Sequence, residues 1–188
     1  MHINPSTRER IIDAATTLYI VRGIRATSAQ HIADRLGITK PAIFYHFPTL
    51  DDLLRAIVMP FLDASGRLID EFPEVLTTDE ELEHYLRSFA ALYRENLPAA
   101  QVMAFNQQIW TDSMFAGRPA ENYRRQLRQL SRGVTDPQRM VRAHIMVQSF
   151  FLNIARPAPT FADLELDVDV DDFDDLVVRV ALQTLRAA

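Results

Sequence analysis

The N-terminal part of the chain carries apolar residues at helical spacing, interrupted by short breaks. A Ser6-x-x-Glu9 capping box predicts the start of a first helix, which ends before Gly23. The predicted buried face of this helix consists of Ile11, Ala15, Leu18 and Tyr19. Two shorter helices follow within residues 27–47, so the pattern predicts a small bundle of three helices.

Residues that favour helix ends mark the two shorter helices. Thr27 is predicted to cap the first, with Gln30 completing its capping box. Gly37 can take the left-handed conformation that ends a helix, and Thr39 is predicted to cap the next one. The predicted buried residues are Ile32, Ala33 and Leu36 in the first helix, and Ile43 and Phe47 in the second. This arrangement is typical of a helix-turn-helix, which places its second helix in the DNA major groove.

The second short helix is predicted to expose more polar and aromatic side chains than folding requires. Lys40 can reach a phosphate or a guanine edge, while Pro41, Ala42 and Phe44 can make apolar contacts with thymine methyl groups. Other side chains in this helix and at its start can donate hydrogen bonds to phosphates: Thr39, Tyr45 and His46. The alternative is that Phe44 and Tyr45 are core aromatics and that His46 is a satisfied polar residue.

The segment Ile32-Ala-Asp-Arg-Leu-Gly-Ile-Thr-Lys-Pro-Ala-Ile-Phe-Tyr-His-Phe47 resembles the helix-turn-helix of TetR/AcrR-type transcriptional regulators. The likeness extends upstream through Arg10-Ile-Ile-Asp-Ala-Ala15 to Gly23, and downstream to Leu53-Leu54. The resemblance implies an all-α dimer of about nine helices. In such a dimer, a fourth helix joins the three-helix DNA-binding head to a helical domain that binds a small molecule and dimerises. The expected domains are residues 5–65 and 66–188.

The resemblance also implies roles for individual residues. The DNA-binding residues it implies are Thr27, Ser28, Thr39, Lys40, Pro41, Ala42, Phe44, Tyr45 and His46. The sequence departs from the family in one respect. Family members often carry a phosphate-binding lysine after the His-Phe pair, whereas here Pro48-Thr-Leu-Asp-Asp52 has no positive charge.

The charge distribution supports a partner that binds only the N-terminal segment. The formal net charge of the chain is −5, but residues 1–47 hold six basic and three acidic residues. The head is therefore positive and the remainder acidic, a division that suits phosphate binding by the head alone. The absence of cysteine, of a long apolar run and of a signal peptide favours a cytoplasmic location without membrane insertion.

The remainder of the chain also shows helical spacing. Helices are expected from about Thr49, with a kink or break just before Pro60, and then over residues 79–96, 98–111, 120–133, 136–155 and 171–187. Residues 156–170 are expected to be irregular. The acidic run from Asp167 lacks the glycine and glutamate of a calcium-binding EF-hand loop.

The last two helices are predicted to form the dimer interface because they carry more apolar surface than one core normally consumes. The residues assigned to that interface are Met140, Val147, Phe151, Phe173, Val177 and Val180. The candidate effector pocket is lined by Phe89, Tyr93, Met103, Phe105, Gln107, Trp110, Phe115 and Phe150, with Asn106 as a further polar candidate. The arginines from Arg124 to Arg132 are interpreted as a solvated helix face, with an anion site as the alternative.

No pattern for catalysis, metal binding or a cofactor is present, so the chain is not expected to be an enzyme. The favoured interpretation is a homodimeric repressor that leaves a double-stranded DNA operator when it binds a small-molecule effector of unknown identity. One alternative is an activator of the same family. Another is a small-molecule-binding helical protein with a vestigial DNA-binding head.

Overall fold

The computed structural model describes residues 5–110, 113–133, 136–155 and 170–186. Within these ranges the chain forms nine α-helices, two short 3-10 helices and no strand, which confirms the predicted all-α class. No helix among the described residues is long and apolar enough to cross a membrane. The α-helices are α1 (Thr7–Arg22), α2 (Ala29–Leu36), α3 (Lys40–His46), α4 (Leu50–Glu71), α5 (Asp79–Glu95), α6 (Leu97–Phe105), α7 (Arg118–Leu130), α8 (Pro137–Ala155) and α9 (Val170–Arg186).

The helices belong to two compact units. The first runs to Leu62 and also includes Pro98–Arg118, while the second contains Asp63–Leu97 and the chain from Pro119 onward. The grouping of Pro98–Arg118 with the N-terminal helices is a long-range feature that the spacing of apolar residues did not predict. The first unit buries large side chains from α1 to α4, including Ile11, Tyr19, Ile32, Ile43, Leu53 and Phe61. The core of the second includes Leu76, Leu82, Tyr85, Phe89, Val147, Phe150 and Val178.

Capping boxes fix the starts of three helices where the sequence predicted helix caps. Ser6 and Glu9 close the box at α1, and Thr78 and Glu81 close the box at α5. At α4 the Asp52 N–H donates to Thr49 Oγ1 at 3.0 Å, and the Thr49 N–H donates to Asp52 Oδ2 at 3.1 Å. Reciprocal hydrogen bonds of this kind satisfy backbone donors that a helix start otherwise leaves unpaired.

Two predicted helix boundaries were wrong. Pro60 does not break α4, which continues from Leu50 to Glu71. Val58 and Phe61 are buried on either side of the exposed proline, and this packing compensates for the one backbone hydrogen bond that proline removes. α6 ends at Phe105 instead of near residue 111, because the Asn106 side chain donates to the Val102 carbonyl at 2.8 Å and a 3-10 turn follows.

The bounds of three further helices differ slightly from the expected ones. α7 begins at Arg118, so Pro119 lies in the first turn, where its missing N–H costs little. α8 and α9 begin and end within one or two residues of the predicted positions. The segment 156–169, which includes most of the predicted irregular region, lies outside the described residues.

Candidate DNA-binding surface

The start of α2 differs from the prediction by one residue. Ser28, not Thr27, is the N-cap: its hydroxyl accepts from the His31 N–H at 3.3 Å, and His31 Nδ1 accepts from the Ser28 N–H at 3.2 Å. The predicted box of Thr27 and Gln30 was therefore wrong. The Thr27 hydroxyl donates instead to the Gly23 carbonyl at 2.9 Å, and Thr27 is only 5% exposed. This internal use leaves Thr27 little surface for a phosphate.

The turn between α2 and α3 is formed as the sequence predicted. Gly37 is left-handed, with φ 65° and ψ 33°, a conformation that glycine adopts without steric cost. The Ile38 N–H donates to the Ala33 carbonyl at 3.1 Å, which completes the helix end. Ile43 and Phe47, the two predicted anchors of α3, are 0% and 3% exposed. These contacts fix the direction in which the remaining side chains of α3 face.

The outward side of α3 presents aromatic and cationic groups to solvent. Tyr45 is 85% exposed and Phe44 is 37% exposed, which contradicts the alternative that both are core aromatics. The Lys40 ammonium lies 5.8 Å from the centroid of the Phe44 ring, and the Tyr45 and His46 rings meet edge to face at 5.2 Å. Thr39, Lys40 and Pro41 are also exposed, whereas Ala42 and His46 are half-buried.

The hydroxyls of Ser28 and Thr39, both predicted to bind DNA, differ in their use. Thr39 occupies the N-cap position of α3, but its side chain makes no capping hydrogen bond, so the prediction of a side-chain cap was wrong. Ser28 is exposed but its hydroxyl accepts the capping bond of α2. Both side chains lie at the protein surface, and Thr39 keeps its hydroxyl available to an external acceptor.

The α4 start agrees with the departure noted in the sequence. Asp51 and Asp52 lie in the first turn of α4, and the Asp52 carboxylate accepts the Thr49 hydroxyl at 2.8 Å. The positive charge that family members often place here is replaced by acidic residues. Burial, with a smaller effect of Asp51, raises the pKa of Tyr19 to about 12, so its hydroxyl stays neutral.

A buried residue outside the N-terminal segment supports the end of α1 from within the same compact unit. Asn106 is 4% exposed; its Oδ1 accepts from the Ile24 N–H at 2.9 Å, and its Nδ2 donates to the Tyr19 carbonyl at 3.2 Å. Asn106 thus satisfies backbone groups at the end of α1 and in the following turn. The sequence suggested Asn106 only as a polar group in an effector pocket, and no local pattern indicated its contacts with residues more than 80 positions away.

The residues predicted to line an effector pocket are divided between the two compact units. Phe89, Tyr93 and Phe150 belong to the second unit, whereas Met103, Phe105, Trp110 and Phe115 belong to the first. Most of them are buried or half-buried, and Phe105 is 40% exposed. The Gln107 side chain lies outside what the structure describes. The assignment of these residues to one effector site stays a prediction.

The helices predicted to dimerise expose a different set of apolar residues from the predicted one. Val147 is 1% exposed and belongs to the core of its own subunit, so its assignment to an interface was wrong. Phe151 stacks on Tyr93 with ring centroids 4.5 Å apart. Val177 and Val180 do line an open groove between α8 and α9, while the Phe173 side chain lies outside the described set.

This α8–α9 groove has a volume of about 320 Å³. Its lining residues are Ile145, Met146, Ser149, Phe150, Asn153, Leu176, Val177, Val180, Ala181 and Thr184. Ile145, Leu176 and Val180 are 54%, 43% and 52% exposed. A four-residue spacing relates Leu176 to Val180 and Val141 to Ile145, so these residues continue one apolar face along each helix.

The fold and the exposed α3 define a helix-turn-helix protein, and comparison with known proteins shows which family the helix-turn-helix segment resembles. The sequence profile described as "Bacterial regulatory proteins, tetR family" matches residues 11–57. By sequence, residues 11–57 belong to the tetR family. The profile covers α2 and α3 completely, together with most of α1 and the beginning of α4.

Among curated relatives, the repressor KstR2 of Mycobacterium tuberculosis is 31% identical over 120 residues, which cover 63% of this chain and 57% of that protein. KstR2 of Rhodococcus jostii is 38% identical over 56 residues, covering 30% of this chain and 28% of the relative. The matched part of these relatives is therefore at most 57% of their own length.

Solved structures match along nearly the whole chain. The probable transcriptional regulatory protein RHA5900 has a TM-score of 0.74 at 20% identity, covering 95% of this chain and 98% of that one. The M. tuberculosis protein described as ketosteroid transcriptional regulator KstR2 has a TM-score of 0.72 at 15% identity, with coverage of 99% and 96%. At these identities the structural likeness establishes the fold.

Proposed function

We propose that this protein is a sequence-specific DNA-binding transcriptional regulator that acts as a repressor, with α3 reading the major groove. The exposure of α3 supports this most directly. Phe44 and Tyr45 are exposed in a helix whose folding is secured by Ile43 and Phe47. An exposed aromatic pair beside a lysine is costly to retain without a partner, and base edges with phosphates satisfy all three side chains.

The division of roles within α3 follows from the chemistry of each side chain. Lys40 has three donors on a flexible stem and suits a phosphate or a guanine edge. The Tyr45 hydroxyl can donate to a phosphate while its ring covers the sugar, and Phe44 can contact a thymine methyl group. Thr39 adds a hydroxyl that no capping bond consumes. The curated relatives reported above are named repressors, which supports repression.

Repression at an operator of two half-sites requires a dimer, and the α8–α9 groove supplies a suitable surface. Its exposed apolar residues Ile145, Leu176 and Val180 come from both helices. A second copy placing its own α8 and α9 against this groove would bury the residues in a four-helix bundle. Two heads of such a dimer would meet half-sites about 34 Å apart.

Release from DNA is proposed to follow binding of a small-molecule effector that favours one of two states of the dimer. The name of KstR2 mentions a ketosteroid. That name describes the relative, whose identity to this chain over the whole fold is 15%.

The test is DNA binding by the purified full chain. Fluorescence anisotropy with duplexes from upstream of its own coding region should detect at least one fragment bound far more tightly than a random duplex of equal length. Affinity should fall steeply with salt because phosphate contacts release counterions. Equal binding to all duplexes would contradict sequence-specific recognition. No binding even at low salt would instead favour a vestigial head.

A further inference from the structure

A basic side chain of α1 lies at the end of α3, beside the surface proposed to bind DNA. Arg8 is in the first turn of α1 and is exposed. Its guanidinium carbon, Cζ, lies over the Phe47 ring, 4.8 Å from the ring centroid. Phe47 is 3% exposed and forms the C-cap of α3, so the ring under the guanidinium group is itself held by the core. Arg8 is thereby placed at the junction of α3 and α4.

Among the described residues, none takes up the hydrogen-bond donors of this guanidinium group. No carboxylate in that part of the chain lies within ion-pair distance of Arg8. The neighbouring carboxylate of Glu9 accepts instead from the Ser6 N–H at 2.7 Å and from the Ser6 hydroxyl at 2.9 Å. These bonds lower the pKa of Glu9, with the smallest contribution from Arg8. An arginine over an aromatic ring uses the face of its guanidinium group, so the donors in the plane of that group stay available.

The chain between α3 and α4 provides no cation of its own at this junction. Residues 48–52 include Asp51 and Asp52 but no basic residue. The Asp52 carboxylate is occupied by the Thr49 N–H and hydroxyl, whereas Asp51 is exposed. Carboxylates repel a phosphate backbone, and a nearby cation offsets that repulsion. Arg8 brings this positive charge to the junction from another helix.

We propose that Arg8 binds a phosphate of the DNA backbone beside the bases that α3 reads. The inference rests on the proposed function, because it adds a contact to the same surface. The planar guanidinium group can donate two parallel hydrogen bonds to one phosphate. Because Phe47 ends α3 and holds the guanidinium group, the bound phosphate has a fixed position relative to α3. Contacts of this kind set the register of a reading helix without selecting a sequence.

The first test compares two arginines at the same end of α1. Arg10 is also exposed, but it projects about 200° around the helix from Arg8. Anisotropy of the full chain at several salt concentrations uses the tightest-binding upstream duplex and a random duplex of equal length. Arg8→Gln should weaken binding to both duplexes about tenfold and lower the salt slope by about one. Arg10→Gln should leave the slope unchanged. An unchanged slope in Arg8→Gln, or an equal change in both variants, would overturn the proposal.

The second test locates the phosphate through the DNA instead of the protein. Duplexes with single phosphates replaced by uncharged methylphosphonates should include one position that weakens binding of the wild type but not of Arg8→Gln. Equal weakening of both proteins at every position would contradict the contact. Arg8→Lys keeps the charge but loses the paired hydrogen bonds, so it should keep the wild-type salt slope while losing part of the affinity.

The outcomes separate this inference from the function on which it rests. If the wild type binds its duplex selectively and Arg8→Gln behaves in the same way, Arg8 has no phosphate contact and the proposed function stands. If the wild type binds no duplex at low salt, both proposals fail. A purely structural role of Arg8 on the Phe47 ring would lower the Tm of Arg8→Gln and leave the salt slope unchanged.

Discussion

Helix α3 and the α8–α9 groove both expose large apolar side chains, but the polar groups around them differ. The seven-residue helix α3 carries Phe44 and Tyr45 together with Lys40 and His46. In the groove, Ile145, Leu176 and Val180 are accompanied by neutral polar residues, Ser149, Asn153 and Thr184. The first surface offers donors and a cation for phosphate, whereas the second offers aliphatic area without charge.

The polar groups around exposed apolar residues indicate which kind of partner those residues suit. Aromatic rings near a cation suit nucleic acid, whose bases are flat and whose backbone is charged. Aliphatic side chains in register on two helices suit a copy of the same helices, because burial of apolar area is the main gain. The predictions for dimerisation and for DNA recognition test whether the two surfaces have these separate partners.

The largest expected effect is on dimerisation. Ile145→Asp would place an unpaired carboxylate in the proposed interface at a cost of about 3–5 kcal/mol, which weakens the dimer more than about a hundredfold. Sedimentation velocity over a range of concentrations measures the shift to monomer. Val21→Asp adds the same charge at a residue of α1 that is 75% exposed and should leave the dimer intact. A dimer that survives Ile145→Asp would assign the groove to another role.

The next effect concerns DNA recognition by α3. Tyr45→Ala and Lys40→Ala should each weaken specific binding by about 1–3 kcal/mol, with little change in folding because both side chains are exposed. Anisotropy at several salt concentrations separates two roles for Lys40. A phosphate contact lowers the salt slope by about one, whereas a base contact reduces discrimination between sequences. Tyr45→Phe separates the hydroxyl from the ring, and full affinity in Tyr45→Ala would remove Tyr45 from the interface.

A smaller effect distinguishes folding from recognition at the hydroxyls that precede α2 and α3. Ser28→Ala removes the capping acceptor of α2 and should lower the free energy of unfolding by about 1 kcal/mol. Thr39→Ala removes a hydroxyl that makes no capping bond, so stability should hardly change while DNA affinity falls. Chemical denaturation and anisotropy on both variants provide the comparison. Equal destabilisation by the two substitutions would contradict the observed caps.

The smallest expected effect concerns the pH dependence of thermal stability, tested at one glutamate in each compact unit. Hydrogen bonds from the Thr78 and then the Thr77 backbone lower the pKa of Glu81, and those from Ser6 lower the pKa of Glu9. A lowered pKa means that the stabilisation is present above the ordinary value of 4.5 and is lost as pH falls through the folded-state value. Glu81→Gln and Glu9→Gln should therefore lower Tm at pH 7, with a gap to the wild type that closes in acid.

The two glutamates also allow a comparison between units. Glu81 accepts bonds from Thr77 and Thr78, whereas Glu9 accepts bonds from Ser6 alone. Glu81→Gln should therefore have the larger effect on Tm. A gap that widens below pH 4.5 would contradict the sign of both pKa shifts.

Local sequence predicted the head well because its signals depend on near neighbours. The left-handed Gly37 and the buried Ile43 follow from positions a few residues apart. The choice between Thr27 and Ser28 as cap did not, since it depends on the Gly23 carbonyl that accepts the Thr27 hydroxyl. Only the three-dimensional structure shows that Pro60 is tolerated inside α4 through burial of the residues around it.

The surfaces of the second unit were harder to predict for a different reason. α8 is apolar on more than one face, so the sequence does not reveal which face the subunit's own core uses. Val147 is buried and Ile145 is exposed, although the two residues are only two positions apart in the same helix. A cavity in the same unit is lined by residues from four helices, which no short pattern brings together: Asp79 on α5, Leu130 on α7, Arg139 and Arg142 on α8, and Leu185 on α9.

Asn106 has a consequence for how the N-terminal segment can be isolated. A fragment that ends at Leu62 would lack this amide and would leave the Ile24 N–H and the Tyr19 carbonyl without the partner they have in the whole chain. Such a fragment should melt at a lower temperature than the same helices do in the intact protein. The proposed DNA-binding helices are therefore not an autonomous module that can be separated at a sequence boundary and transferred to another protein, because part of their scaffold is encoded in the second half of the chain.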